Sequence, residues 1–106
     1  MSHTEANYRD GDEKADGMFF LREELDAEKL GFTVVEADPD WTGMEHDHAD
    51  EGEEEVYYLV EGAATLHVDG ESVALEPGDA VRVAPEATRQ LANGSEESRL
   101  VVAGAP

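Results

Sequence analysis

The sequence predicts an all-β sandwich or barrel, and three observations carry the prediction. Apolar runs are short and rich in β-branched or aromatic residues, as at 32–37, 56–60 and 100–103. Turn signals separate them: Asp38-Pro39-Asp40, Asp69-Gly70, Pro77-Gly78-Asp79 and Asn93-Gly94-Ser95. Helix-forming sequence is confined to 22–30, which before Gly31 makes at most a turn or brief helix. Together these give about six to nine short strands, the pattern of an antiparallel sandwich or barrel. No internal repeat of fixed period is present.

In chain order, residues 1–16 are polar and acidic and are expected to be a flexible N-terminal segment. Residues 17–106 are expected to form a single β-barrel domain, since 106 residues suffice for one modest core. The apolar run 17–21 reads as a strand or a buried lead-in, and 32–37 as a strand ended by the Asp38-Pro39-Asp40 turn. Residues 63–68 and 71–75 flank Asp69-Gly70, a preferred pair for a type I′ hairpin. That turn pairs Val68 with Glu71, Leu66 with Val73 and Ala64 with Leu75, so apolar residues meet on one face. Residues 80–84 and 88–92 read as short strands around Pro85, and 100–103 as the last strand.

Charge and composition bound the function. Asp and Glu total 27 against seven basic residues, a net charge of −20. Nucleic acid and anionic membrane surfaces need a basic face and are poor partners for such a chain. The acids are spread among strand patterns, which argues against whole-domain disorder and for a proteome adapted to high salt, where screening relieves self-repulsion. There is no cysteine, hence no disulfide, thiolate nucleophile or sulfur ligand. No segment reaches the roughly 20 apolar residues of a membrane span, and the N-terminus lacks a basic start and apolar core of a secretory signal, so a cytoplasmic location is expected.

The stretch His46–Gly62, HDHADEGEEEVYYLVEG, carries the chemistry. On an extended strand, side chains at i and i+2 share a face, so His46 and His48 present two imidazoles side by side. Glu55 opens the next strand, and two histidines with a carboxylate from a neighbouring strand can form an N,N,O metal set. Glu53 or Glu54 could replace Glu55 if the register shifts, but both read more simply as solvated acids. Tyr57 and Leu59 share the parity of Glu55, Leu59 as core and Tyr57 as a candidate pocket residue. Trp41 reads as a lid over the barrel mouth or a substrate platform. His67, opposite Ser72, reads as a structural strand histidine, and His3 lies in the tail.

These residues resemble the motifs of a small single-domain cupin, a double-stranded β-helix or jelly-roll barrel. The first motif, His-x-His, spacer, Glu, six residues, Gly, matches His46, His48, Glu55 and Gly62, with a spacer longer than the family's between His48 and Glu55. In the second motif Gly78 and Asn93 take the outer slots. Ala84 stands in the proline slot, Glu86 in the second glycine slot and Arg89 in the histidine slot. The resemblance covers about 32–103 and implies a divalent metal (Zn, Mn, Fe or Ni), a small acidic or sugar-like ligand, a metal-dependent oxygenation or isomerisation, and a homodimer.

Arg89 alters that expectation, because a guanidinium stays protonated and offers no lone pair. Three arrangements stay open. His46, His48 and Glu55 hold a metal with water completing the shell; Gln90 adds its amide oxygen after a strand slip; or Arg89 pairs with Glu55 in place of metal. The last describes a non-catalytic binding or sensor module, with Arg89 capturing an anion. No phosphate-cradling glycine loop, dinucleotide fingerprint or Gly-x-Ser-x-Gly nucleophile motif occurs.

Overall fold

The computed structural model describes residues 2–106, and its strands form two antiparallel sheets packed as a jelly roll. In chain order the strands are β1 (Asp12–Ala15), β2 (Met18–Phe20), β3 (Gly31–Ala37), β4 (Glu54–Glu61), β5 (Ala64–Val68), β6 (Glu71–Leu75), β7 (Ala80–Val83), β8 (Arg89–Asn93) and β9 (Ser98–Ala105). The larger sheet runs β1-β2-β3-β9-β4-β7 and the smaller β6-β5-β8. Among the described residues there is no α-helix; 22–30 is a series of turns, closed by the Ala27 amide donating to the Arg22 carbonyl at 3.0 Å.

Period-2 alternation sets the two faces. On β4, Tyr57 and Leu59 are buried while Val56, Tyr58 and Val60 face out. On β9, Ser98, Leu100, Val102 and Gly104 turn inward. Leu66, Leu75 and Leu91 of the smaller sheet meet Val35, Leu59, Val83 and Leu100 of the larger one in a single core. The β5–β6 register is the one expected, Val68 with Glu71, Leu66 with Val73 and Ala64 with Leu75. Asp69 and Gly70 both have positive φ, 48° and 85°, as a type I′ turn requires.

Gly62 and Asn93 have structural work. Gly62, at φ 94°, lies so close to Ser98 that a Cβ would collide with its backbone and hydroxyl. The Asn93 side-chain amide donates to the carbonyls of Ala37, Asp38 and Glu96 and accepts from the Ser98 hydroxyl at 2.7 Å, tying two turns together.

Residues 8–15 of the N-terminal segment carry local structure. Tyr8–Asp10 forms a 3₁₀ turn, and Asp12–Ala15 pairs with β2, placing Asp12 opposite Phe20 and Ala15 opposite Met18. The segment is pinned from several directions. Tyr8 stacks edge-on against Phe19 at 5.5 Å, the Tyr8 hydroxyl donates to Glu36 at 3.0 Å, and the Trp41 indole donates to the Asp16 carbonyl at 2.8 Å. All four residues of β1 are exposed, so no apolar alternation marks the strand in the sequence. Its pairing with β2 supplies the order instead. No helix among the described residues is long and apolar enough to cross a membrane.

Candidate metal centre and cavity

Backbone bonds hold the two histidines in an extended segment laid against β8. The His46 amide donates to the Arg89 carbonyl at 2.9 Å, the His46 carbonyl accepts from the Arg89 amide at 2.8 Å, and the His48 amide donates to the Pro85 carbonyl at 2.9 Å. After His48 the chain folds back through a turn in which the Gly52 amide reaches the His48 carbonyl at 2.9 Å and Gly52 has φ 63°. That turn absorbs the long spacer and delivers Glu55 on β4 to the same pole of the barrel.

One donor atom each from His46, His48 and Glu55 lies within 4.8 Å of the others. His48 Nε2 is 3.3 Å from Glu55 Oε2, and His46 Nε2 is 4.0 Å from Glu55 Oε1. The imidazoles meet edge to face with centroids 4.9 Å apart. Both Nδ1 atoms are already engaged, His46 with the Met44 carbonyl at 3.0 Å and His48 with Glu51 Oε1 at 2.9 Å. Carbonyl and carboxylate can only accept, so each Nδ1 donates its proton, and Nε2 is the nitrogen that each neutral imidazole would offer a metal. The hydrogen bond to His48 in turn holds the exposed Glu51 carboxyl below its usual range.

The donor set fits a divalent ion. Metal–ligand bonds of about 2.0–2.2 Å bring donor atoms to within about 4.4 Å of one another; the two imidazole–carboxylate separations of 3.3 and 4.0 Å fall inside that limit, and the whole set, within 4.8 Å, needs at most a small side-chain adjustment to close on an ion. Glu55 is itself braced, because the Tyr57 hydroxyl donates to its Oε1 at 3.0 Å. The Tyr57 phenol is pushed well above its ordinary value, first by burial and then by the adjacent carboxylate, so it stays a donor.

A cavity of about 620 Å³ opens over this pole. Tyr57 and Trp41 line it together with His46, His48 and Glu55. Arg89 and Gln90 are not among its lining residues. Arg89 is fully buried behind Glu55: Nη2 donates to the Ala84 carbonyl, Nη1 lies 3.9 Å from Glu55 Oε1, and neither Nε nor Nη1 has a hydrogen-bond partner. Gln90 lies opposite His67 with no strand slip, and its amide donates to the Gly43 carbonyl at 3.0 Å, away from the donors. Glu53 pairs with Arg22 at 3.6 Å and Glu54 with Arg82, leaving Glu55 as the carboxylate facing both imidazoles. His67 sits beside the Ser72 hydroxyl at 3.0 Å, in keeping with a structural role.

Sequence reasoning passed over Glu51 and the Met44 carbonyl as the partners of the two Nδ1 atoms. The turn signal Asp50-Glu51-Gly52 was the one available clue to Glu51. It also passed over Met18 and Phe20, which supply part of the cavity wall from β2.

Two sheets closed as a jelly roll, with an imidazole pair and a carboxylate meeting at one end, define a cupin barrel. The chain belongs to the Cupin_2 family of cupin domains, whose pattern matches residues 33–104. Among solved structures it is similar to a cupin protein from Bacteroides fragilis, with TM-score 0.83 and 19% identity over 99% of this chain and 85% of that one. It is also similar to KdgF from Halomonas sp., with TM-score 0.76 and 20% identity over 100% and 94%. A third likeness is to TT1209 from Thermus thermophilus, with TM-score 0.73 and 26% identity over 95% and 90%. No curated protein matches the chain.

Proposed function

We propose that this cupin binds a divalent metal through His46 Nε2, His48 Nε2 and Glu55, and holds a small organic molecule against it in the cavity. One observation carries the proposal: both Nδ1 atoms have acceptors, which leaves the two Nε2 atoms, both turned to one carboxylate, as the nitrogens available to a metal. A bound metal would act there as a Lewis acid or oxygen-binding centre with positions open to substrate, as oxygenation or isomerisation of a small molecule requires. The chain's own groups prepare that site. Met44 and Glu51 fix the tautomers, Tyr57 orients Glu55, and Trp41 closes one side of the cavity.

The proximity of Arg89 to Glu55 favours a second reading, in which the guanidinium neutralises Glu55 and the cavity serves a binding or sensor module without metal. Elemental analysis of untagged protein purified in high salt without chelators separates the two. The first reading expects close to one metal per chain and a large loss in His46→Ala. Less than about 0.1 metal per chain would end it, because the mechanism needs an occupied site.

The homodimer implied by the family resemblance would form through the outer face of β4, where Val56, Tyr58 and Val60 stand 39, 43 and 41% exposed. Tyr58→Lys should then convert a dimer into a monomer by light scattering.

A further inference from the structure

The cavity's walls and rim differ in a way that speaks to ligand class. From β2, Met18 and Phe20 line one side, and Trp41, Leu91 and Val102 line others, so most of the interior is apolar. The imidazoles of His46 and His48, the Glu55 carboxylate and the Tyr57 hydroxyl meet at one pole of it.

The rim is acidic. Asp12, Glu23, Glu24, Glu51 and Glu53 border the cavity, against Lys14 and Arg22 as its strong cations. Arg22 is already engaged by Glu53 at 3.6 Å, and the Lys14 ammonium lies 5.7 Å from the Phe20 ring centroid. The one deeply placed cation, Arg89, is sealed behind Glu55 and does not reach the cavity. A carboxylate or phosphate entering the metal-free cavity would lose its hydration past a like-charged rim and meet no buried cation inside. A polyhydroxylated ligand would leave most of its hydroxyls against Met18, Phe20, Trp41, Leu91 and Val102 without partners.

We infer that the cavity takes a neutral small molecule with an apolar, ring-sized body and a pair of oxygens at one end, in preference to the small acid or sugar that the family resemblance implies. The apolar body lies against the β2 wall and Trp41, and the oxygen pair faces His46, His48 and Glu55. The inference rests on the proposed metal site only for the seat of the oxygen end; the preference for an apolar body stands on the walls alone.

Trp41 is the sole tryptophan of the chain and lines the cavity, so its emission reports occupancy directly. The full-length protein in high salt, metal-free and zinc-loaded, is titrated with 1-phenyl-1,2-ethanediol, glycerol and oxalate. The phenyl diol should bind saturably and at least about tenfold more tightly than glycerol in both forms, from burial of the ring, with oxalate the weakest in the metal-free form. Phe20→Ala should cut phenyl-diol affinity several-fold while leaving zinc binding unchanged. Glycerol or oxalate matching the phenyl diol in the metal-free protein, or no saturable phenyl-diol binding, overturns the inference. A preserved ring preference in a protein that takes up no zinc would instead overturn the metal reading and leave this one standing.

Discussion

Arg89 Nη1 lies 3.9 Å from Glu55 Oε1, with the arginine side chain fully withdrawn from solvent. Glu55 therefore faces a permanent cation on one side and two imidazole Nε2 atoms on the other. Any metal held by His46, His48 and Glu55 shares its carboxylate with that guanidinium. The residue that occupies the histidine slot would thus act as a brake on the proposed metal site.

Replacing the brake with a ligand should reverse its effect. At an effective dielectric of about 20, a unit charge about 5 Å away is worth about 3 kcal/mol per unit charge of the ion. Arg89→His removes that repulsion and adds an imidazole, so even with most of it screened zinc affinity should rise by at least about a hundredfold. Competition against a chromophoric chelator reads it, and equal affinities in the two proteins would show that Arg89 exerts no such control.

Glu51 tests the support beneath the ligands. It is exposed, and its carboxylate holds the His48 Nδ1 proton. Glu51→Ala should weaken metal binding by about 10- to 100-fold through loss of that orienting contact. Thermal stability should change little, as for most surface substitutions. A variant with wild-type affinity would mean that His48 is positioned by its backbone alone.

Tyr57 makes the protein's stability depend on alkaline pH. Its raised value means that the folded state keeps the phenol proton after the unfolded chain has released it. Stability from this group is therefore complete below the unfolded value of about 10 and declines as pH rises above it. Melting followed from pH 8 to 11 should show a steeper fall for the wild type than for Tyr57→Phe, which has no proton to lose there. Parallel curves would place the alkaline sensitivity elsewhere.

The acidity predicts a response to salt. With a net charge of −20, repulsion reaches over a Debye length of about 10 Å in 0.1 M salt and about 3 Å in 1 M. The melting temperature should rise substantially between those conditions with chloride of either sodium or potassium. Identical melts would contradict adaptation to high salt.

What could be read from the sequence follows a physical divide between local and non-local causes. Asp69-Gly70 dictated its hairpin because a two-residue turn with positive φ at both positions needs those residue types and then fixes every pair up to Ala64–Leu75. The inward setting of Glu55, Tyr57 and Leu59 likewise followed from period two along one strand. Asp12–Ala15 escaped notice because an edge strand with every side chain exposed has no apolar rhythm, and its order comes from β2 and the Trp41–Asp16 bond. Arg89 was legible as a misfit at a ligand position, but not its destination. Strand parity turns the side chain inward; only the closed barrel shows that the guanidinium ends at Ala84 and Glu55, outside the cavity. The partners of the two Nδ1 atoms were hidden for the same reason, since Met44 and Glu51 reach them through irregular backbone.

The hairpin of β1 and β2 divides labour within the molecule. Its residues precede the 33–104 stretch that defines the family, yet Lys14, Met18 and Phe20 form part of the chamber's lining, while every proposed metal donor lies inside that stretch. The proposed donors and one side of the cavity wall are thus carried by separate pieces of chain, while Trp41, Leu91 and Val102 of the wall lie in the same stretch as the donors. Exchange of 12–20 for another sequence of equal length would remodel what the chamber admits and leave the donors undisturbed. An interchangeable vestibule of this kind lets one barrel acquire new ligands without rebuilding its chemistry.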